Sequence, residues 1–185
     1  MNAPGEPGDR PEPLEAVVAR EEIRDLALRY ARALERRDPD AMADLFVPDA
    51  SVGAAGSGPE AVRELTRAGL EASPVIVLLV ANHLVEVTSA HEAAGEVWSH
   101  GFAQTHDEGF VEQLIRYEDT YRRHDGRWLF VHRRHRLWFG TSGPSPFEQP
   151  TADWPTRQSG VGDLPFDHTA FVEWYRTHGP ELPKP

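Results

Sequence analysis

The chain contains no cysteine, so a disulfide framework, a thiol nucleophile and a thiolate metal site are excluded together. Long apolar runs are missing as well: the longest, residues 75–81, is roughly a third of what a membrane-spanning helix needs. Basic residues are in deficit. Nineteen Lys and Arg stand against 30 Asp and Glu, a formal net charge of −11, which repels nucleic acid and anionic lipid surfaces. The N-terminus has no basic region followed by an apolar one, so no signal peptide is expected. There is no phosphate-binding loop, nucleophile elbow or dinucleotide fingerprint, and the Gly53-Ala-Ala-Gly56-Ser-Gly58 run is too short and wrongly placed to be one. Nine histidines invite a metal. However, His132 and His135 are three apart on a strand and project to opposite faces, and no same-face pair has a third ligand. The expectation is a cytoplasmic chain with one core, no metal, no organic cofactor, and neither a nucleic-acid nor a membrane partner.

The most informative stretch present is Tyr117 to His135, two runs rich in Tyr, Trp, Phe and Val around Asp125-Gly126. This predicts a hairpin closed by a two-residue type I′ turn, which needs positive φ at both central positions. Upstream, Val17, Ile23, Leu26, Ala27, Tyr30, Ala33 and Leu34 recur at three- and four-residue spacing and predict a long helix ending near Arg37-Asp38-Pro39. Asp38 reads as the N-cap of a short second helix, with Pro39 at its first position. Residues 52–58 read at most as a short Gly-interrupted strand, and Gly58-Pro59-Glu60 opens a third helix running to about Glu71. Four strands are expected at 75–88, 95–104, 110–122 and 127–139, and their hairpin-sized gaps require antiparallel pairing. The domain reading is a disordered leader at 1–13, one domain at 14–139, and a Pro- and Gly-rich extension at 140–185. Asp167 or Thr169 caps a last short helix there, with Phe171, Trp174 and Tyr175 on one face.

Three helices followed by a curved antiparallel sheet is the order of the nuclear-transport-factor-two-like cone, and the details resemble its SnoaL-like branch. The resemblance is carried by residues 23–38, by Leu45-Phe-Val-Pro-Asp-Ala50, by Asn82 with Val85-Glu-Val87 and Gly95, and by Tyr117 with residues 121–128. It covers roughly residues 14 to 138. It implies an α+β fold: a cone-shaped barrel of a strongly curved, mostly antiparallel sheet packed on three N-terminal helices. The aromatic-rich sheet adds the expectation of a homodimer paired through its outer face. The branch includes scytalone dehydratase, a bile-acid dehydratase, hexachlorocyclohexane dehydrochlorinase and polyketide cyclases. It implies a cofactor-free pocket in which a carboxylate late in the first helix orients a histidine on the first long strand. Glu35 matches the carboxylate. Anchoring on Asn82 and Gly95 places Leu78 at the histidine position, so the family dyad is broken here. An ungapped count from Glu35 gives His83 instead, which strict alternation puts on the strand face opposite Leu78.

Alternation on the last strand puts Val131, Arg133 and His135 on one face, with Arg133 matching the family's pocket arginine. Tyr117, Ile115 and Gln113 face inward from the neighbouring strand, and Tyr30 from the first helix. The expected site therefore has His135 as base, Glu35 as its partner, Tyr30 and His83 as further catalytic candidates, and Tyr117, Arg133, Ile115, Leu78, Asn82 and Ser99 as substrate contacts. That set suits proton abstraction beside a carbonyl in an apolar, polyketide- or terpenoid-like molecule. Plainer readings stand beside it: Glu35 as a solvated helix-end carboxylate near Arg32 or Arg36, Tyr30 as core, and His135 as surface. Two other functions remain open. One is a small-molecule-binding or assembly domain without catalysis, which Leu78 favours. The other is an epoxide hydrolase, which needs an Asp-Arg-Asp arrangement.

Overall fold

The computed structural model describes residues 11–143 and 169–178; the leader up to residue 10, residues 144–168 and 179–185, and the side chains of Phe171 and Tyr175 lie outside that description. Helical spacing of Ala19, Ile23, Leu26, Ala27, Ala31 and Ala33 folds Pro13–Glu35 into α1 with those side chains buried. A reciprocal capping box between Glu12 and Glu15 starts it. It ends where Arg37 takes a φ of 58°, a conformation costly for any residue with a Cβ. The surroundings hold it there: the buried guanidinium donates to the carbonyls of Ser73, at 2.9 Å, and Pro74. Burial pulls its pKa down to about 10, so it stays protonated at neutral pH. Asp38 then caps α2 (Pro39–Ala43) by accepting the Ala41 N–H at 2.8 Å. Residues 53–55 form a 3-10 turn closed by a Ser51–Ser57 bridge rather than a strand, and α3 spans Gly58–Ala72.

Strands β1 (Val75–Val87), β2 (Glu92–Thr105), β3 (Gly109–His124) and β4 (Arg127–Gly143) pair in sequence order, each antiparallel to the next. Asp125 and Gly126 adopt φ of 49° and 78°, as the β3–β4 turn requires. The sheet is open rather than a closed barrel, with β1 and β4 as its edges. Part of the β4 edge is covered because Val47 donates to the Phe130 carbonyl at 2.9 Å and Phe130 donates to that of Leu45 at 2.8 Å. Helix α1 lies across the concave face, where its buried residues join Ala93, Tyr121, Trp128 and Phe130 in one core and Leu78, Val97, Ile115 and Tyr117 in another. Beyond β4, α4 (Thr169–His178) sets the Trp174 ring 4.6 Å from the Arg37 guanidinium.

Bulges decide which side chains enter the concave face. In β1 the register shifts between Val80, paired with Ser99, and His83, paired with Val97. Two residues, Ala81 and Asn82, thus oppose one, and the face parity reverses. In β4 a shift between His132 and Phe130 leaves Val131 as the extra residue, and a second between Phe139 and Leu137 leaves Trp138. Two expectations from strict alternation are corrected by this. His83 shares the inner face with Leu78, and Val131 does not share the face of Arg133, packing instead with Val47, Ala50 and Leu129.

Candidate functional site

The inner face is a grid of cross-strand rows. His83, Val97, Tyr117 and His135 form one, and Val85, Gly95, Asp119 and Arg133 the next. At its centre Arg133 is gripped by Asp119: Nε donates to Oδ1 at 3.0 Å and Nη2 to Oδ2 at 2.8 Å, with the two side chains only 5% and 0% exposed. Such a two-armed pair is the geometry in which a buried guanidinium is tolerated. Desolvation opposes the charge on Arg133, but the hydrogen bonds and charge of Asp119 outweigh it and raise the pKa. The guanidinium carbon also lies 4.3 Å from the centres of the Tyr30 and Tyr117 rings and 4.4 Å from that of Phe130. Nη1 makes no hydrogen bond among the described residues. Burial raises the pKa of both phenols, with Arg133 pulling the other way, so Tyr30 and Tyr117 are neutral donors at physiological pH.

Asp119 has a second client. The Tyr121 hydroxyl donates to Oδ2 at 2.9 Å, and His83 Nε2 lies 3.1 Å from the same hydroxyl oxygen. Since the phenol proton is committed to the carboxylate, Nε2 must be the protonated ring nitrogen, which leaves Nδ1 as the acceptor. Gly95 makes room for this arrangement: a Cβ there would sit 2.6 Å from the Leu84 carbonyl and 3.2 Å from the Tyr121 ring. Desolvation pushes the His83 pKa down to about 4, against the pull of Asp119.

Tyr30 also lines an apolar cavity of about 310 Å³ between the helices and the start of β1, with Leu34, Met42, Phe46, Leu70 and Ile76 among its walls. That size and lining suit a small apolar molecule.

The expected site residues are partly brought together. Tyr30, Tyr117 and Arg133 meet directly, and His135 stands edge-on to Tyr117 with ring centres 5.5 Å apart. His135 is exposed, and partial desolvation lowers its pKa. Ile115, Leu78 and Ser99 are buried on the same inner face, while Asn82 is exposed within the β1 bulge. Glu35 is not brought to His135. It is exposed on α1, beside a groove lined by Leu78, Leu79 and Val80 of β1, while His135 is on β4, the opposite edge of the sheet. The sequence reading missed Asp119 and Tyr121. The signal was present, since both continue the inward period of Ile115 and Tyr117. This site thus holds one Asp–Arg pair, but no second Asp bonds Arg133 among the described residues, so the three-membered epoxide-hydrolase arrangement does not form there. No group of three or more metal-ligating side chains occurs among the described residues.

The family described as SnoaL-like domain matches residues 15–134. Among curated proteins, none matches the sequence. Among solved structures, the chain is similar to a hexachlorocyclohexane dehydrochlorinase (LinA) type 2, at 20% identity and a TM-score of 0.67, over 76% of this chain and 99% of that one. It is similar to a candidate scytalone dehydratase from Novosphingobium aromaticivorans, at 20% identity and a TM-score of 0.63, over 75% and 99% of the two chains. It is also similar to an NTF2-like protein with a cystatin-like fold from Novosphingobium aromaticivorans, at 27% identity and a TM-score of 0.56, over 68% and 85%.

Proposed function

The chain belongs to the SnoaL-like domain family, and on that premise we propose that it is a cofactor-independent lyase, isomerase or cyclase acting by acid–base catalysis on an apolar polyketide- or terpenoid-like molecule. One observation carries this reading: Arg133, fixed by Asp119 and enclosed by the rings of Tyr30 and Tyr117, lies next to an apolar cavity that Tyr30 itself lines. A carbonyl oxygen set against Arg133 Nη1 and the neutral phenols would be stabilised as negative charge develops on it. The acceptor of the carbon-bound proton is His135. It is on the same face, is open to solvent, and is held neutral at physiological pH by its lowered pKa. Return of the proton at another carbon gives isomerisation, and loss of a leaving group gives elimination. The dehydrochlorinase and dehydratase names among the structural neighbours agree with this class of reaction.

A second reading, binding without catalysis, is favoured by the buried Leu78 at the position where the family resemblance places a histidine. The two are separated by incubating the protein in D2O with a panel of polycyclic ketones and following exchange at the α-carbons by NMR. Catalysed exchange is expected, falling by about 10²–10⁴-fold in His135→Ala and Tyr30→Phe, the range typical of positioned acid–base groups. Binding of panel members without exchange above background would reject the enzyme in favour of the binder.

A further inference from the structure

Two polar atoms of the inner face, His83 Nδ1 and Ser99 Oγ, are shut off from solvent and have no hydrogen-bond partner among the described residues. They are also neighbours. His83 pairs with Val97, and Ser99 follows Val97 on the same face of β2, which puts the two residues in the diagonal relation of adjacent strands, with Cα atoms roughly 7–8 Å apart. Ala27 and Ala31 of α1, with Leu78, Val97, Ile115 and Tyr117, form an apolar cluster there, and Val80 packs against it. A buried polar group without a partner is destabilising and uncommon, and two side by side in an apolar wall call for a common explanation.

We propose that His83 and Ser99 form a polar notch that takes a hydroxyl group of an otherwise apolar ligand, the hydroxyl donating to His83 Nδ1 and accepting from Ser99 Oγ. The hydrogen-bond chain from Asp119 through Tyr121 fixes the complementarity, because it commits the ring proton to Nε2 and leaves Nδ1 able only to accept. The depressed pKa keeps that acceptor neutral throughout the physiological range. Tyr30 and Leu34 pack against this cluster and also line the apolar cavity, where the apolar part of the ligand would lie. His83 is in this role a recognition residue, distinct from the proton acceptor His135. The inference rests on the concave face being a ligand site and adds a substrate feature to it: a hydroxy compound is preferred over its deoxy analogue.

The experiment uses the full chain labelled with 15N-histidine and two matched probes, 2-naphthol and naphthalene. In the unliganded protein, the His83 nitrogens are expected to report the Nε2–H tautomer. 2-Naphthol is expected to move the Nδ1 resonance and to bind at least about tenfold more tightly than naphthalene, since a site built for a hydroxyl discriminates strongly against its absence. Ser99→Ala leaves the Tyr121 contact intact, and should bring the two affinities together without altering that for naphthalene. Equal affinities in the parent, or binding of 2-naphthol with a stationary Nδ1 resonance, would overturn the notch while leaving the proposed catalysis untouched. An Nδ1 bonded to a bound water that 2-naphthol does not displace would overturn it equally. If neither probe binds, the apolar-ligand reading of the face falls with it. Preference for 2-naphthol without deuterium exchange in any ketone would retain the notch and remove the enzyme.

Discussion

Asp119 serves three groups with one carboxylate: it neutralises Arg133, accepts from Tyr121 and, through Tyr121, orders the His83 ring. Breaking a buried pair by removing one member costs more than the pair contributes, because the survivor is left charged without a counter-ion. Asp119→Asn keeps the shape and one acceptor while removing the charge. It is expected to destabilise the fold by about 3–5 kcal/mol, read as a shift in urea midpoint at neutral pH. The double variant Asp119→Asn with Arg133→Met should recover part of that loss. A single variant within about 0.5 kcal/mol of the parent would mean that Arg133 finds solvent once Asp119 no longer holds it.

At the scale of elements, the β1 bulge does what no single residue does. Without it, strand alternation would turn His83, Val85 and Val87 to the outer face and bring Leu84 and Glu86 into the core. Deleting Ala81 tests this directly. Turning out Val85 and Val87, both of which pack against the main core, forfeits about 3 kcal/mol at the lower end of side-chain burial. That corresponds to a Tm lowered by roughly 6–12 °C in a chain of this size, before the cost of an inward Glu86 is added. The His83–Tyr121 contact should vanish with it, visible as loss of the fixed histidine tautomer. A deletion variant with unchanged Tm and tautomer would show that pairing re-forms with the bulge elsewhere in the strand.

At the scale of the molecule, the outer sheet face is left with large apolar side chains in the open. Trp138 is 65% and Leu84 70% exposed. Trp138 meets Trp98 with ring centres 5.2 Å apart, and Phe102 stacks on Phe110 nearby. Glu96 and Glu118 alternate with Arg116, Arg134 and Arg136 on the same face, a mixed-sign pattern able to match a copy of itself in reversed orientation. An apolar patch rimmed in this way is expected to be covered by a second copy of the chain, forming a homodimer despite the net charge of −11. Light scattering at micromolar concentration should give twice the chain mass, and Trp138→Glu should halve it without loss of helix or sheet signal. A parent that scatters as a monomer would reject the pairing.

Local chemistry was sufficient for much of this. The spacing of apolar residues determined α1, the Asp38-Pro39 pair determined where α2 begins, and Asp125-Gly126 determined the β3–β4 hairpin, because each depends on the conformational preferences of neighbouring residues alone. Tyr30 and Tyr117 were legible for the same reason, each sitting on a periodic face within one element, whereas Arg133, which lies beyond the Val131 bulge, was legible through its match to the family's pocket arginine. The partnership of Glu35 with His135 was not decided at that level, since it depends on which strand lies under which end of α1, and the fold places them beside opposite edges of the sheet. Nor could alternation place His83 and Val131. A bulge is set by register between residues far apart in the chain, and one extra residue reverses every assignment beyond it. Asp119 carries the same lesson: a carboxylate in a strand reads as solvated until a distant arginine and tyrosine close around it, and only tertiary packing brings Arg133 and Tyr121 to it at hydrogen-bonding distance.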